Sequence, residues 1–212
     1  MSTDRPEPGT ELHNGPAVTA QPAATVMLLR GGSERLEVLL VQRNLGASFM
    51  PGAWVFPGGS VDAQDGDGQA GLRNAARREL DEEAGIALPA DAELVAFARW
   101  ITPVAAKRRF DTWFYVATAP DRAQAQVDGS EVIDSRWLEP GEALSLEADK
   151  QLFLVFPTIK QLQQLAQFGT AEALMAHARA REVQPVLPEI IGSGETARIV
   201  LPGEPGYMEN ER

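Results

Sequence analysis

Apolar residues fall into short alternating or continuous runs along most of the chain, which is the pattern of β-strands. Residues 25–30 and 36–42 form two such runs around Gly31, Gly32 and Ser33, and this arrangement predicts a β-hairpin. Four further runs predict strands at residues 53–56, 94–101, 110–117 and 132–138. A sheet is therefore expected to form the centre of the fold.

One strong helical repeat lies among these strands, at residues 69–84, and Gly85 follows where helices commonly end. Strands on both sides of a helix predict an α/β fold, a mixed sheet with helices packed on it. After Pro140 the apolar spacing becomes helical, over residues 141–146, 157–168 and 171–181. We therefore expect a flexible tail, a folded domain and a helical C-terminal extension packed on that domain, at residues 1–22, 23–146 and 147–212.

The helix at residues 69–84 carries acidic residues on its apolar side. At about 100° per residue, Glu79 and Glu83 fall among the apolar positions, and Glu82 lies at the margin of that face. Three carboxylates on one patch would repel one another unless a cation lay among them. The alternative is a solvated surface patch, with Arg78 supplying a salt bridge.

Composition limits the chemistry that such a cation site can have. The 212 residues include no cysteine and two histidines, which argues against thiolate chemistry, cysteine-bound metals and a Ser-His-Asp triad. Thirty acidic residues against 19 basic ones give a net charge of −11. This excess of carboxylates suits magnesium or manganese held by oxygen, and it argues against nucleic acid as a partner.

Neither a membrane nor an export pathway is indicated. No apolar run approaches the roughly 18 residues of a membrane-spanning helix, and the first residues show no charged region followed by an apolar one. We therefore expect a cytoplasmic protein that does not contact membranes.

Two segments carry a resemblance to a known family. Residues 56–59, followed by residues 78–86, resemble the Nudix box, and the second half matches the family pattern at every fixed position. The first half departs from it, because Gly59 lies 19 residues before Arg78 instead of 14. The position of the family's first glutamate is then occupied by Ala70. Three nearby acids are candidates for its role: Asp62, Asp65 and Asp67.

The resemblance extends to one branch of the Nudix family, the branch that contains the peroxisomal coenzyme A diphosphatase, Nudix type nineteen. The similar segments are residues 42–43, 49–53, 55–62, 109–112 and 201–204. That branch also has a lengthened box and a helical C-terminal extension. The resemblance implies a Nudix-like α/β/α sandwich with a mixed sheet and such an extension.

The resemblance also implies hydrolysis of a diphosphate by water, with one to three Mg²⁺ or Mn²⁺ ions as cofactors. The implied metal ligands are the carbonyl of Gly59 and the carboxylates of Glu79, Glu82 and Glu83. Arg78 would orient these glutamates. The implied catalytic set is Glu79, Glu82 and Glu131, and the proton acceptor is expected to be either Glu79 or Glu131.

Basic residues are candidates for binding the substrate. Lys107 and Arg109 belong to a basic cluster in an acidic protein, and they are candidates for holding a 3′-phosphate or a diphosphate. The alternative is a solvated loop with surface ion pairs. Arg43, at the end of a predicted strand, is a third candidate.

Three functions remain open from the sequence. The first is a metal-dependent diphosphatase acting on coenzyme A or acyl-coenzyme A, and the second is a pyrophosphatase acting on ADP-ribose, NADH or nucleotide sugars. The third, of another class, is a non-catalytic Nudix-fold module that binds a ligand. The retained glutamates argue against the third, because a binding module does not need three repelling carboxylates. The apolar helices of the extension are compatible with a homodimer.

Overall fold

The computed structural model describes residues 18–192 and 197–208. Most of the predicted tail, residues 1–17, therefore lies outside the described residues. The first strand begins at Gln21, four residues before the predicted strand at residues 25–30 and two residues inside the predicted tail. The pairing of Gln21 and Pro22 with residues of another strand explains this difference.

The described elements follow the predicted order of strands, one central helix and later helices. The strands are β1 (Gln21–Arg30), β2 (Glu37–Arg43), β3 (Trp54–Val55), β4 (Gly58–Ser60), β5 (Val95–Ile101), β6 (Phe110–Thr118), β7 (Val132–Leu138), β8 (Pro185–Val186), β9 (Glu189–Ile191) and β10 (Arg198–Val200). The helices are α1 (Gly68–Ala84), α2 (Pro140–Ala148), α3 (Phe156–Leu165) and α4 (Ala171–Arg179), and a 3₁₀ turn spans Ala63–Asp65.

The main sheet is mixed, as the sequence predicts. Its strands run in the order β3-β2-β1-β6-β5-β8, with β4 paired to β1 and β7 paired to β2. The β1–β6 and β5–β8 pairs are parallel, and the other pairs are antiparallel. Strands β9 and β10 form a separate antiparallel pair.

Helices cover both faces of this sheet. On one face, α1 packs its buried residues, such as Leu72 and Leu80, against Val26 and Leu28 of β1. On the other face, α2, α3 and α4 contribute to a second core with the alternate strand residues, such as Met27. Alternation along β1 thus supplies both cores. The architecture is an α/β/α sandwich, which confirms the predicted fold class.

Strands β1 and β2 form the predicted hairpin only near its turn. They pair at Leu29–Val38 and Arg30–Glu37, and then they separate. The first half of β1 pairs with β4 instead, and the second half of β2 pairs with β3. The chain between β2 and α1 therefore lies in the opening between β1 and β2, which brings β4 beside α1.

Two further differences from the sequence predictions concern Gly58–Ser60 and the C-terminal extension. Gly58 and Gly59 lie beyond the strand predicted at residues 53–56, but they belong to β4 because β1 supplies the backbone partners. The extension is not purely helical, because β8 joins the edge of the main sheet through Arg99 and Trp100 of β5. None of the described helices is long and apolar enough to cross a membrane.

The contact of α1 with the sheet predicts a large loss of stability when Leu80 is truncated. Leu80 is fully buried, and Leu→Ala changes in such positions cost about 2–5 kcal/mol. Leu80→Ala should lower the free energy of unfolding by this amount in a urea titration. Leu45→Ala is the matched control, because Leu45 is 71% exposed and its truncation should cost less than about 0.5 kcal/mol.

Candidate active site

Helix α1 directs two carboxylates toward the interior. The helix ends at Gly85, which adopts the left-handed conformation (φ 63°) and donates its N–H to the Asp81 carbonyl at 2.8 Å. Glu83 is 3% exposed and the Glu79 side chain is 12% exposed. The apolar side of the helix therefore carries both glutamates, as the helical wheel predicts.

Glu83 is held by the backbone of β4. The N–H of Gly58 donates to its carboxylate at 3.0 Å. Burial raises the pKa of Glu83 to about 8, and the negative charge of Glu79 acts in the same direction. The Gly58 N–H and the Arg43 guanidinium oppose this shift without cancelling it. The positive charge around the buried Glu83 carboxyl group is thus too small to keep its pKa at the ordinary value.

Glu79 lies directly against the second glycine of β4. A Cβ atom on Gly59 would lie 2.5 Å from the Glu79 carboxyl carbon, so a larger residue here would displace the Glu79 carboxylate from its present position. Burial raises the pKa of Glu79, and the hydrogen bond from Arg78 partly offsets the shift. The role of the Gly59 carbonyl as a metal ligand stays a prediction.

The Arg78 guanidinium connects several groups around the helix. It donates to Asp65 at 3.0 and 2.9 Å, to Glu79 at 2.9 Å and to Glu82 at 2.8 Å. It also donates to the Ser60 carbonyl at 3.0 Å. These bonds raise the pKa of Arg78 further, with the bond to Asp65 as the main cause. The contacts support the orienting role that remains predicted for Arg78.

Asp65 is the nearby acid that pairs with Arg78 most closely. The two side chains form a bidentate ion pair, whereas Asp62 is 3.7 Å away and Ala70 is exposed on the first turn of α1. Hydrogen bonding to Arg78 lowers the pKa of Asp65, against the effect of burial. The residues added to the box thus include the 3₁₀ turn Ala63–Asp65, and this turn brings the Asp65 carboxylate into contact with Arg78.

Glu79 and Glu83 face a cavity of about 490 Å³, which lies between β4, β6 and the loops after β2 and before β7. The described residues that line it are Ala23, Thr25, Arg43, Ser48, Phe49, Gly58, Gly59, Ser60, Asp62, Glu79, Glu83, Arg108, Phe110, Thr112 and Glu131. Glu82 is not among them. Its side chain is 58% exposed and accepts from the same Arg78 nitrogen as Glu79, so Glu82 lies beside Glu79 without lining the cavity.

The third acid at the cavity is Glu131, in the loop before β7. Its negative charge raises the pKa of both Glu79 and Glu83, which shows that the three groups interact. No group of three or more His, Cys, Asp or Glu side chains in the described part of the chain is close enough to form a ready metal centre. The catalytic and metal-binding assignments of these residues therefore stay predictions.

Two basic residues, Arg43 and Arg108, also line the cavity. Arg43 donates its Nε to the Phe49 carbonyl at 3.1 Å, and an Nη of Arg108 lies 3.5 Å from the Ser48 hydroxyl. Of the candidates from the sequence, Arg43 is thus at the cavity wall.

Lys107 and Arg109 are absent from the described lining residues. The Arg109 guanidinium donates to the carbonyls of Thr102 and Val18 at 3.1 and 2.7 Å. Lys107 is exposed. The predicted roles of both in substrate binding remain untested, but the structure does not bring either side chain to the cavity.

The site residues predicted from the sequence do not include several residues that line the cavity. Phe49 and Phe110 contact each other there, with ring centroids 6.3 Å apart. Alternation along β6 is the signal that identifies Phe110 and Thr112 as neighbours on one face. Arg108 precedes Phe110 by two residues and reaches the same side, although no regular strand extends to it.

The donor chemistry fits a hard divalent cation. The cavity offers carboxylate and carbonyl oxygens, and two of the carboxylates are buried with raised pKa values. Magnesium and manganese bind such oxygen ligands, and their positive charge would offset the repulsion between the glutamates.

Comparisons with known proteins agree on the family. Residues 19–158 match the NUDIX domain, and this segment is well over half of the chain. The chain therefore belongs to the Nudix family, and it is a hydrolase of the class that acts on nucleoside diphosphate-linked compounds, generally with divalent metal ions.

Individual relatives support the resemblance to one branch. "Putative nudix hydrolase 7" from Caenorhabditis elegans is 28% identical over 203 residues, which cover 80% of this chain and 68% of that protein. The human protein named acyl-coenzyme A diphosphatase NUDT19 is 27% identical over 119 residues, which cover 54% of this chain and 32% of its own length. The predicted resemblance to that branch is thereby confirmed.

The fold has a close counterpart among solved structures. The crystal structure of a NUDIX hydrolase from Alicyclobacillus acidocaldarius superposes with a TM-score of 0.67 at 23% sequence identity. The match covers 74% of this chain and 96% of that one. At this identity the likeness concerns the fold alone.

Removing the Asp65 carboxylate should lower the free energy of unfolding at neutral pH. The lowered pKa of Asp65 means that its ion pair with Arg78 stabilises the fold above about pH 4, the unfolded value, and that this stabilisation is lost as the pH falls through the folded value. Asp65→Asn should cost about 2 kcal/mol at pH 7 and much less at pH 3, measured by urea unfolding. Asp67→Asn should change little, because the Asp67 side chain makes no capping hydrogen bond to α1. Equal losses at both pH values would refute the ion-pair explanation.

Neutralising Glu83 should stabilise the metal-free protein at alkaline pH. Because the folded pKa is raised to about 8, ionisation of Glu83 destabilises the fold progressively from about pH 4 to pH 8. Glu83→Gln should therefore be about as stable as the wild type at pH 4.5 and more stable by at least about 1 kcal/mol at pH 9, in the presence of chelator. Asp81→Asn, on the exposed side of α1, is the control. Parallel stability curves for the wild type and Glu83→Gln would contradict the assignment.

Proposed function

We propose that this chain hydrolyses the diphosphate of coenzyme A or acyl-coenzyme A, with Mg²⁺ or Mn²⁺ as the cofactor. The observation that carries the proposal is the cavity that is lined both by the largely buried carboxylates of Glu79 and Glu83 and by the guanidinium groups of Arg43 and Arg108. The relatives named acyl-coenzyme A diphosphatases support this substrate class.

The acidic side of the cavity would hold the cation. Glu79 and Glu83 are the proposed ligands, together with the Gly59 carbonyl, while Glu82 would join them if it exchanged its bond with Arg78. When bound, the cation would neutralise the diphosphate and activate the attacking water. Arg78 would keep Glu79 oriented through their 2.9 Å bond.

Glu131 is the proposed proton acceptor. Glu83 is fixed by the Gly58 N–H and Glu79 is fixed by Arg78, whereas Glu131 is exposed at the cavity edge. Its carboxylate can therefore take a proton from water at the diphosphate without breaking an existing bond. Glu79 is the alternative acceptor, but using it would disturb the ion pair with Arg78.

The reaction adds one water across the P–O–P linkage. Its oxygen bonds to one phosphorus, the bridging oxygen leaves with the other phosphorus, and the proton passes to the carboxylate. With coenzyme A the products are adenosine 3′,5′-bisphosphate and 4′-phosphopantetheine. Arg43, near Glu83, is placed to bind the diphosphate, and Arg108 is placed to bind the 3′-phosphate.

The other expectations from the sequence remain proposals of lower rank. ADP-ribose, NADH and nucleotide sugars share the diphosphate but lack the 3′-phosphate, so they are outcomes of the substrate test. A homodimer and a cytoplasmic location stay predictions. The non-catalytic module is not supported, because the chain is a Nudix hydrolase with its buried carboxylates intact.

A product scan by mass spectrometry tests the proposed reaction. The purified chain would be incubated with Mg²⁺ or Mn²⁺, and separately with chelator, against coenzyme A, acetyl-coenzyme A, ADP-ribose, NADH and a nucleoside triphosphate. We expect adenosine 3′,5′-bisphosphate from the coenzyme A compounds in the samples with metal and none in the samples with chelator. Glu83→Gln should lower this activity by at least about 100-fold, and Asp81→Asn should not. AMP from ADP-ribose or NADH, with coenzyme A intact, would overturn the proposed substrate.

Substitution of Arg108 tests recognition of the 3′-phosphate. Arg108→Ala removes a charge-assisted contact with the 3′-phosphate. This variant should have a KM for coenzyme A that is about 10-fold higher than that of the wild type, with less than about a twofold change for 3′-dephospho-coenzyme A. Lys107→Ala and Arg109→Ala should have smaller effects on this ratio, because their side chains do not line the cavity. Arg122→Ala, an exposed arginine elsewhere, is the control. Equal KM changes for both substrates would contradict the role of Arg108.

A further inference from the structure

The turn that carries Glu131 is organised by one aspartate. The Asp128 carboxylate accepts hydrogen bonds from the N–H groups of Ser130, Glu131 and Val132 at 2.9, 2.8 and 2.9 Å. It also accepts the Ser130 hydroxyl. The Gly129 N–H donates to the Val132 carbonyl at 2.9 Å and closes the turn. One side chain thus fixes the backbone on both sides of the Glu131 Cα atom.

A second residue holds the same turn from the opposite side. Asn44 follows β2, and its backbone N–H donates to the Glu131 carbonyl at 2.8 Å. Its side-chain amide donates to the Ser130 carbonyl at 2.8 Å and accepts the Gly46 N–H at 2.8 Å. The turn is therefore joined to the loop after β2, whose residue Phe49 also lines the cavity.

These bonds oppose an electrostatic force on Glu131. Glu131 lines the same cavity as Glu79 and Glu83, and carboxylates of like charge in one cavity repel one another. A mobile Glu131 would therefore turn away into solvent. The hydrogen bonds that hold Glu131 are made by its backbone N–H and C=O, so the turn fixes the direction in which its side chain leaves the backbone.

We propose that Asp128 is a positioning residue for hydrolysis, because it fixes the turn that presents the Glu131 carboxylate to the cavity. The inference rests on the proposed role of Glu131 as the proton acceptor. Asp128 itself does not line the cavity among the described residues, so it acts through Glu131 and not on the substrate. Asn44 provides the second attachment of the turn.

Asp128→Asn tests this role with minimal change in size. An amide keeps one acceptor oxygen but turns an NH₂ group toward a backbone N–H, so part of the set of four bonds is lost. We expect kcat to fall about 10- to 100-fold, with KM within about twofold of the wild type. Asp134→Asn is the matched control. The Asp134 carboxylate also accepts a backbone hydrogen bond, from the Ser135 N–H at 2.7 Å, but it lies in β7, beyond the turn. The control should retain the wild-type kcat.

A double-mutant cycle with Glu131→Gln separates positioning from a general structural effect. Asp128→Asn should lower kcat by less than about twofold in the Glu131→Gln background, because there is no longer a carboxylate to position. A wild-type kcat for Asp128→Asn would overturn the proposal. The same fold loss in both backgrounds would also overturn it, as would a fully active Glu131→Gln.

Amide hydrogen exchange provides a readout that does not depend on turnover. The Glu131 and Val132 amides should exchange faster in Asp128→Asn than in the wild type or in Asp134→Asn, and unchanged exchange would overturn the proposal. The cycle is run on whichever diphosphate the wild type cleaves. Cleavage of ADP-ribose in place of coenzyme A would thus overturn the proposed substrate, while the cycle still decides the role of Asp128.

Discussion

Burial of two carboxylates beside the same strand is the constraint on which the rest of the site depends. Glu79 and Glu83 lie among the apolar residues of α1, where an unpaired carboxylate is costly. Arg78 offsets part of the charge on Glu79, and the Gly58 N–H binds Glu83. The raised pKa values show that this compensation is incomplete. In the proposed function a divalent cation would supply the missing positive charge, which links the packing of the helix to the proposed chemistry.

The sheet provides the place for this arrangement. Because β1 and β2 separate beyond their turn, β4 can pair with β1 beside α1, and Gly59 allows the Glu79 carboxylate to approach the strand. The parallel partner β6 brings Phe110 and Thr112 to the same end of β1. The loops that follow β2 and precede β7 close the cavity from the other side. The site is thus formed by segments distant in sequence that the mixed sheet brings together.

The sequence predicts what depends on local periodicity and misses what depends on tertiary partners. The face of α1 with Glu79 and Glu83 follows from helical geometry alone. Strand β4 does not, because the strand character of Gly58–Ser60 comes from pairing with β1. The pairing of Asp65 with Arg78 depends on how the extra residues fold, so spacing could not select it among three aspartates. Likewise, only the structure shows that Arg108 faces the cavity and that Arg109 binds backbone carbonyls.

The central claim is that the buried pair of glutamates holds a divalent cation, and a binding measurement tests it without reference to any substrate. Mn²⁺ would be titrated into the wild type, Glu83→Gln and Asp81→Asn, with the free ion followed by electron paramagnetic resonance. The account predicts that Glu83→Gln weakens Mn²⁺ binding by at least about 10-fold and that Asp81→Asn, which removes an equal charge from the exposed side of the same helix, leaves it unchanged. Equal affinity in all three proteins would contradict it.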